Sequence, residues 1–425
     1  MVIFMHWKMT IGTYRSDKNQ MKTKTILLVI FAIIILAFTG WLLLRDSEIP
    51  IVETIIDGLP FGSGEDINIP ALGPGEDTVG ETTSFDESIT SEDKLFRISN
   101  TPVAGFVVLN DRVRYVDRAT GHIFDATLPT SNTALEKNRV TNTTLPKIYE
   151  AHFRSDGSEV LLRSIGETGG VESMTLTLTP PSTTSTSTDG LYSVSATSLR
   201  GDIDSPLPGT GNVLFYVLKD TNSIVSSTFT GNSLRTLFNS EFDNWRLGRA
   251  GNSLLVYTKA SADAPGFAYL LNSSGGSLSK ILGPLNGLTA VTNSNNTRTL
   301  YSYFESGKTK LSVRNSQSGA SSEILPATLT EKCVWSNTNN AVFFCGTPIA
   351  GIVSREPDNW YKGMTHFSDY VWRFDTESEI AQLVSNPKMD FDIDLDVFKP
   401  TLSNDDSYLI FINKRDLTLW SVKLD

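Results

Sequence analysis

From residue 94 onward, short hydrophobic runs alternate with polar segments along the chain. The runs are rich in Val, Ile, Phe, Tyr and Thr, whereas Gly, Asn, Ser and Asp dominate between them. No stretch keeps the spacing of about 3.6 residues that an amphipathic helix requires. The pattern therefore predicts an all-β fold built from many short strands.

The hydrophobic runs recur at a nearly constant interval. Each copy has a polar turn followed by a strand, as in FRSDGSEVLLRS at 153, GNVLFYVL at 211, NSLLVYTK at 252, TRTLYSYF at 297, NAVFFCGT at 340 and SYLIFINK at 407. Tyr216, Tyr257, Tyr303 and Cys345 hold similar positions, spaced 41, 46 and 42 residues apart, and Phe411 follows 66 residues later. One repeat thus contains an insertion of about twenty residues.

A period of about 40–45 residues with three or four short strands is typical of a β-propeller blade. The length of residues 94–425 divided by this period predicts a propeller of about seven blades, and six or eight stay open. The alternative is one β-sandwich or a pair of them. A sandwich does not require a regular period, so the propeller is favoured.

Two of the copies, HFRSDGSEVLLR and LSNDDSYLIFINKRDLTLW, resemble the PD40 or WD40-like repeats of TolB-type bacterial propellers. The resemblance extends loosely over residues 94–425 and implies the fold, but no particular activity. The other repeats lack the Pro-Asp-Gly turn of the family pattern, which is why the blade count stays open.

The ends of the repeats predict how the ring closes. SLRTLFNS, SLSKILGP, SSEILPAT and EIAQLVSN each have the form of an outer strand, and DKLFRISN at Asp93 has the same form although it opens the domain. We expect residues 94–99 to be the fourth strand of the last blade, paired with residues 417–423. This pairing would remove an open strand edge.

The N-terminal part contains one long apolar run, TILLVIFAIIILAFTGWLLL, at residues 25–44. Twenty uncharged residues match the length of helix that crosses a bilayer, and they exceed the apolar region of a signal peptide, which is the alternative. Lys and Arg predominate before the run, so residues 1–24 are predicted to be a cytoplasmic tail and the propeller to be extracytoplasmic. Met21 is a possible alternative start to Met1.

Charge separates the next segment from the body of the protein. The net charge of −11 divides into +5 for residues 1–45, −13 for residues 46–93 and −3 for residues 94–425. Residues 45–93, rich in Gly, Pro, Ser, Thr and acids, are predicted to be a disordered acidic linker. No basic field is present to attract nucleic acid.

The sequence contains little recognisable catalytic chemistry. His6, His122, His152 and His366 lie in separate segments without a second ligand at metal spacing, and no nucleophile elbow, P-loop or dinucleotide fingerprint occurs. No cofactor or metal is therefore expected. The run DFDIDLDV at Asp390 predicts a strand with one wet face, and it lacks the Gly that a calcium loop needs.

The insertion offers the best candidate site. It extends from Thr347 to Ser368 between the second and third strands of one blade and contains EPDNWYKGMTHF. Trp360 and Tyr361 follow a turn signal, so they could form an exposed aromatic platform with Lys362 and His366 adding polar contacts. The alternative is that Trp360 and Tyr361 pack against the blade as the small core of a long loop.

The only two cysteines, Cys333 and Cys345, flank a polar turn in CVWSNTNNAVFFC. A hairpin centred on Asn339 would bring them face to face, within reach of a disulfide. Two free buried thiols are the alternative.

These observations favour a membrane-anchored propeller that binds or scaffolds a protein or glycan without catalysis. The alternatives are an extracytoplasmic hydrolase or lyase with its site in the propeller channel, and a passive structural component of the envelope. Carboxylates or histidines that converge at the channel mouth would favour the enzyme.

Overall fold

The computed structural model describes residues 94–130, 134–167, 169–181, 190–352 and 355–424. They form seven antiparallel sheets of four strands each, and the chain passes from one sheet to the next in order. The predictions of an all-β fold and of a seven-bladed propeller are confirmed. Blade 1 contains β2 to β5, each later blade takes the next four strands, and blade 7 contains β26, β27, β28 and β1.

The strands are grouped here by their position within the blades. The innermost strands are β2 (Val103–Val108), β6 (Ile148–Phe153), β10 (Ile203–Pro208), β14 (Trp245–Ala250), β18 (Thr289–Thr292), β22 (Cys333–Trp335) and β26 (Val397–Leu402). The second strands are β3 (Arg112–Asp117), β7 (Glu159–Ile165), β11 (Leu214–Leu218), β15 (Ser253–Thr258), β19 (Arg298–Glu305), β23 (Val342–Pro348) and β27 (Tyr408–Asn413). The third strands are β4 (Ile123–Thr127), β8 (Val171–Thr179), β12 (Ser223–Ser227), β16 (Pro265–Asn272), β20 (Lys308–Asn315), β24 (Asp369–Asp375) and β28 (Leu419–Lys423). The outermost strands are β5 (Glu136–Arg139), β9 (Ser193–Leu199), β13 (Arg235–Phe238), β17 (Ser279–Asn286), β21 (Ser321–Ile324), β25 (Ile380–Ser385) and β1 (Leu95–Ser99).

Helical structure in the described residues is limited to three short segments. These are a 3-10 turn at Thr330–Lys332 and the helices α1 (Asp358–Tyr361) and α2 (Pro387–Phe391). Helix α2 corrects one prediction, because the first part of DFDIDLDV ends a helix and a strand begins only at Val397. The physical reason is local: Asn386 caps the helix through a bond from the Met389 amide, and Pro387 occupies its first turn.

The hydrophobic core is divided among the interfaces between blades. Among the described residues, seven clusters of buried residues lie between neighbouring blades, one for each pair, including the pair formed by blades 7 and 1. The repeated strand identified from the sequence is the second strand of blades 2 to 7, and its central residues are buried in every case because it packs on both faces. Each blade therefore packs against a neighbouring blade on both of its faces.

The strand that precedes blade 1 closes the ring. Strand β1 pairs antiparallel with β28, with Leu95 opposite Val422 and Arg97 opposite Trp420. The predicted closure by residues 94–99 is therefore confirmed. Ile98 is fully buried in the cluster between blades 7 and 1, so the strand also contributes to the core.

The cytoplasmic tail (1–24), the membrane span (25–44) and the acidic linker (45–93) lie outside the described residues. Within the ranges that the structure describes, no helix has the length and apolar character needed to cross a bilayer.

Candidate functional site

The innermost strands of all seven blades begin at the same end of the propeller, which we call the mouth. Because adjacent strands in a blade run antiparallel, the loop between the second and third strands returns to this end. The loop between β23 and β24, residues 349–368, is the insertion that the sequence indicated. We call it the capping loop.

The capping loop has a hydrophobic core of its own. Ile352, Trp360 and Phe367 from the loop pack with Leu329, and Phe398 of β26 covers their side. The Trp360 ring meets the Phe398 ring edge to face, with 5.7 Å between centroids. The loop is thereby fixed onto the starts of blades 6 and 7.

Trp360 is not part of an exposed platform. Its side chain is fully buried, its backbone amide donates to Glu356 Oε2 at 2.7 Å, and its indole Nε1 donates to Asp396 Oδ2 at 3.0 Å. The turn after Pro357 continues into helix α1, which points Trp360 inward. The packing alternative therefore describes Trp360, whose ring is not exposed for contact with a partner.

The other residues of the predicted platform remain at the surface. Tyr361 is 38% exposed, and its hydroxyl donates to Glu331 beside the start of blade 6. Lys362 and His366 are exposed on the capping loop. Of the three predicted binding residues that stay at the surface, Tyr361 is the one with a polar side-chain contact to the propeller wall in the described part of the chain.

The capping loop also reaches blade 4. Asp358 Oδ2 accepts a hydrogen bond from the Ala262 amide at 2.6 Å, and Arg355 pairs with Asp263. Ala262 and Asp263 belong to the loop between β15 and β16 of blade 4. The capping loop therefore spans blade 5 and narrows the mouth on that side.

Opposite the capping loop, charged side chains converge on Glu150 of β6. Glu150 Oε2 lies 2.7 Å from Arg163 Nη1, and Glu150 Oε1 lies 3.0 Å from His152 Nε2 and 3.3 Å from Lys399 Nζ. Lys399 comes from blade 7, so this contact bridges across blade 1. The four side chains form what we call the Glu150 cluster.

The environment determines the protonation states in the Glu150 cluster. Burial raises the pKa of Glu150, but His152, Lys399 and Arg163 outweigh it and hold that pKa well below its usual range. Burial lowers the pKa of His152 from 6.5, and the nearby Lys399 and Arg163 act in the same direction against Glu150. An ionised carboxylate therefore lies beside an imidazole that is neutral at neutral pH.

Polar groups continue from the Glu150 cluster around the mouth. Asp204 of β10 pairs with Arg246 of β14, with 3.1 Å between Oδ2 and Nη1. Burial raises the pKa of Glu331, although the Tyr361 hydroxyl bond opposes the effect. Glu331 raises the pKa of Tyr257 in blade 4, and Arg246 lowers it. The Asp204–Arg246 pair and Glu331, which binds Tyr361 of the capping loop, are thus both close to Tyr257.

Local backbone irregularities position these side chains. The register of the innermost strand shifts between Ile148 and Glu150, between Asp204 and Leu207, and between Phe398 and Thr401. Such bulges redirect side chains near their position. In blade 1 the equivalent strand has Gly105, where a Cβ would lie 2.1 Å from Ala151 O. The missing side chain lets blade 1 pack closely on blade 2.

Behind the capping loop lies a second group, the buried Lys–Asp cluster of Lys332, Asp369 and Asp396. Lys332 Nζ donates to the Asp396 carboxylate and lies 2.7 Å from Asp369 Oδ2. All three side chains are 0% exposed. Burial, reinforced by Asp396 and opposed by Lys332, raises the pKa of Asp369 to about 6.

The two cysteines are joined in blade 6. Cys333 of β22 lies opposite Cys345 of β23, with 4.1 Å between Cα atoms, and the structure links them by a disulfide. Among the described residues, no group of three or more His, Cys, Asp or Glu side chains is arranged to hold a metal ion.

The residues at the mouth and in the buried cluster were not identified from the sequence. The repeats were aligned on the second strands, whereas these residues lie in or beside the innermost strands. A polar residue inside the short runs IYEAHF, IDSPLP, WRLGRA and VFKPTL was the available signal. Aligning those runs would have placed Glu150, Asp204, Arg246 and Lys399 at one end of the blades.

No protein-family profile matches this sequence, and no curated protein matches it. Many solved structures share the fold. An oligogalacturonate lyase from Vibrio parahaemolyticus is 10% identical, with a TM-score of 0.48, covering 79% of this chain and 96% of its own. A virginiamycin B lyase from Staphylococcus aureus is 13% identical, with a TM-score of 0.48, covering 78% and 98%. TolB from Acinetobacter baumannii is 15% identical, with a TM-score of 0.39, covering 65% and 64%. Identities this low concern the fold and carry no information on activity.

Proposed function

We propose that the chain is a membrane-anchored, extracytoplasmic binding module that holds an uncharged polar ligand at the mouth. A glycan or a polar segment of a protein has this chemistry. The observation that carries the proposal is the Glu150 cluster, in which three side chains from three strands converge on one carboxylate that is 21% exposed.

Charge balance at the mouth favours an uncharged ligand. Three cations, Arg163, Arg246 and Lys399, accompany three carboxylates, those of Glu150, Asp204 and Glu331, and each group has a partner. Paired charges present hydrogen-bonding atoms in fixed directions without a net field.

Aromatic rings at the mouth have flat apolar faces that can pack on a sugar ring or a peptide. Tyr149 lies beside Arg163, with 5.6 Å between the guanidinium and the ring, and Tyr257 and Tyr361 lie on the opposite side. Tyrosine rings combine an apolar face with a polar hydroxyl, which suits them to contact with amphipathic ligands.

The proposal is tested with purified full-length protein on a glycan array and a peptide array, followed by calorimetry with any hit. Glu150→Gln and Lys399→Met are expected to weaken binding roughly tenfold or more, since each removes a charge-assisted hydrogen bond. The matched control is Glu377→Gln, which removes an exposed ion pair with Arg298 at the opposite end of the propeller. Equal affinity of all variants would exclude the mouth, and the absence of any ligand would favour a passive structural role.

One observation favours a hydrolase or lyase as the second candidate. A neutral imidazole beside a carboxylate can accept a proton from a bound substrate, and His152 Nε2 lies 3.0 Å from Glu150 Oε1. Chromatography of the ligand after incubation separates the two functions. Loss of turnover with retained binding in His152→Gln would support the enzyme.

A further inference from the structure

The buried Lys–Asp cluster has no place in the function proposed above, and its composition is unusual. An ammonium and two carboxylates are all fully enclosed. Lys332 Nζ also lies 5.2 Å from the Trp360 ring centre and 5.1 Å from that of Phe367. Removing such charges from water carries a large free-energy cost, even when they are paired.

The contacts leave one carboxylate better supported than the other. Asp396 accepts the Trp360 indole N–H and, at Oδ2, the Phe367 amide at 3.0 Å. Asp369 Oδ2 accepts the Val397 amide at 2.7 Å, whereas its Oδ1 is buried without a hydrogen-bond partner among the described residues. Asp369 is therefore the carboxylate better suited to carry a proton.

We propose that Lys332 and Asp396 are joined by an intramolecular amide bond that forms after the propeller has folded. The bond links Nζ of Lys332 to Cγ of Asp396. Asp369 acts as the positioning and proton-transfer group, since it contacts the same Nζ.

The reaction is a dehydration and needs no other reactant. Asp369 relays one proton from the Lys332 ammonium to Oδ1 of Asp396, so that a neutral amine faces a neutral carboxyl group, and the amine attacks Cγ of Asp396. Negative charge that develops on Oδ2 is stabilised by the Trp360 indole and the Phe367 amide. Two nitrogen protons, one of them relayed by Asp369, leave with Oδ1 as water, and Asp369 is regenerated.

Enclosure supplies the driving force. The fold already holds the amine and the carboxyl in contact, so no further entropy is lost in bringing the two reactants together. The product removes two opposite charges from an apolar site, and the released water passes to solvent. Both effects are absent from a solvated ion pair on the surface.

The amide would join the start of blade 6 to the start of blade 7. Lys332 precedes β22 and Asp396 precedes β26, and the two residues are 64 positions apart. The adjacent Cys333 is linked to Cys345 within blade 6. Together the bonds would connect the innermost strands of two blades beneath the capping loop.

Mass spectrometry tests the proposal on the full-length protein. After reduction, alkylation and denaturation, most molecules are expected to be lighter than the sequence mass by one water. Trypsin is expected to leave Lys332 uncut and to yield a branched peptide containing Lys332 and Asp396. A chain of full mass that is cleaved normally after Lys332 would overturn the proposal, whatever the outcome of the ligand experiments.

Variants identify the groups involved. Asp369→Asn, checked for folding by circular dichroism, is expected to return to full mass because the proton relay is lost. The matched control is Lys388, an exposed lysine that contacts Asp392 at 2.8 Å and Asp394 at 3.2 Å. Lys388→Met is expected to keep the mass deficit of the parent chain. A deficit that persists in a folded Asp369→Asn protein would overturn the role of Asp369.

Discussion

Among single residues, Trp360 connects the capping loop to the propeller. Its ring fills the small core of the loop, and its indole N–H binds Asp396 at the start of blade 7. An aromatic side chain with a buried polar handle of this kind stabilises a loop through both packing and hydrogen bonding.

Trp360→Ala is expected to destabilise the protein by about 3–5 kcal/mol, the usual cost of removing a buried aromatic side chain. Differential scanning calorimetry of the full-length chain measures it as a lower melting temperature. Lys362→Ala, two residues away and exposed, is the control and is expected to leave the melting temperature unchanged. Equal melting temperatures for Trp360→Ala and the parent chain would show that the loop core contributes nothing.

His152 is expected to make the fold sensitive to acid. Its pKa is lowered below 6.5 in the folded chain by burial, so protonation favours the unfolded state. Its stabilising contribution is complete above about pH 6.5 and decreases as the pH falls below that value. Glu150, whose pKa is also lowered, adds a similar loss at more acidic pH.

Two measurements examine the His152 prediction. The imidazole proton resonance of His152 should titrate with a midpoint below 6.5, and His152→Gln should reduce the loss of melting temperature between about pH 7.5 and about pH 5.5. His366→Gln changes an exposed histidine and serves as the control. A midpoint above 6.5 would contradict the burial argument.

Among the strands, β1 is short but contributes to both a sheet and a core cluster. Its five residues complete blade 7 and contribute Phe96 and Ile98 to the cluster between blades 7 and 1. Strand β1 precedes blade 1 in the sequence but completes blade 7, so opening the ring breaks both a sheet and a core cluster. Unfolding of the ring is therefore expected to be cooperative.

Ile98→Ala is expected to cost about 2–5 kcal/mol, as for other buried aliphatic side chains. It should also speed hydrogen exchange at the β28 amides that pair with β1 relative to amides in blade 3. Arg97→Ala changes the exposed neighbour on the same strand, whose guanidinium lies 4.7 Å from the Trp420 ring centre, and should have a smaller effect than Ile98→Ala. Unchanged exchange in β28 would mean that β1 does not hold the ring closed.

The strands show how much of the fold could be predicted from the sequence. The period of the second strands predicted a propeller of about seven blades, with six or eight left open, because β-strand burial leaves a hydrophobic run at every repeat. The DKLFRISN segment predicted the closure. The capping loop was also located correctly from the long spacing. Helix α2 was missed because the alternation in DFDIDLDV matches a strand, whereas its start is determined by Asn386 and Pro387.

The sites were less predictable for a physical reason. Glu150 and Lys399 are 249 positions apart, and Lys332 and Asp396 meet only when two blades close together. No local pattern encodes such distances. Trp360 was ambiguous because a turn signal fixes the turn and does not fix the direction of the following side chain.

For the whole molecule, the central expectation concerns location. Residues 25–44 are predicted to hold the propeller at the outer side of a membrane, where the environment would be oxidising and compatible with the Cys333–Cys345 bond. Deleting residues 25–44 should release the chain from the membrane fraction, whereas deleting residues 46–93 should not. In the intact protein, denatured without reductant, no free thiol should react with maleimide. Two reactive thiols, or a chain that stays in the membrane fraction without residues 25–44, would contradict this expectation.

The pairing of β1 with β28 has one more consequence, for chain connectivity. The Lys423 amide donates to Lys94 O at 2.8 Å, so the first and last residues of the propeller are neighbours in one antiparallel ladder. A two-residue turn would suffice to join them. The propeller could then be cut at the exposed connection between β13 and β14, residues 239–244, with every strand pair retained. Such a circular permutant should fold, and the predicted anchor of residues 25–44 could be fused beside blade 3 or blade 4 instead of blade 7. The direction in which the mouth faces relative to the membrane would thus depend on where the predicted anchor is attached.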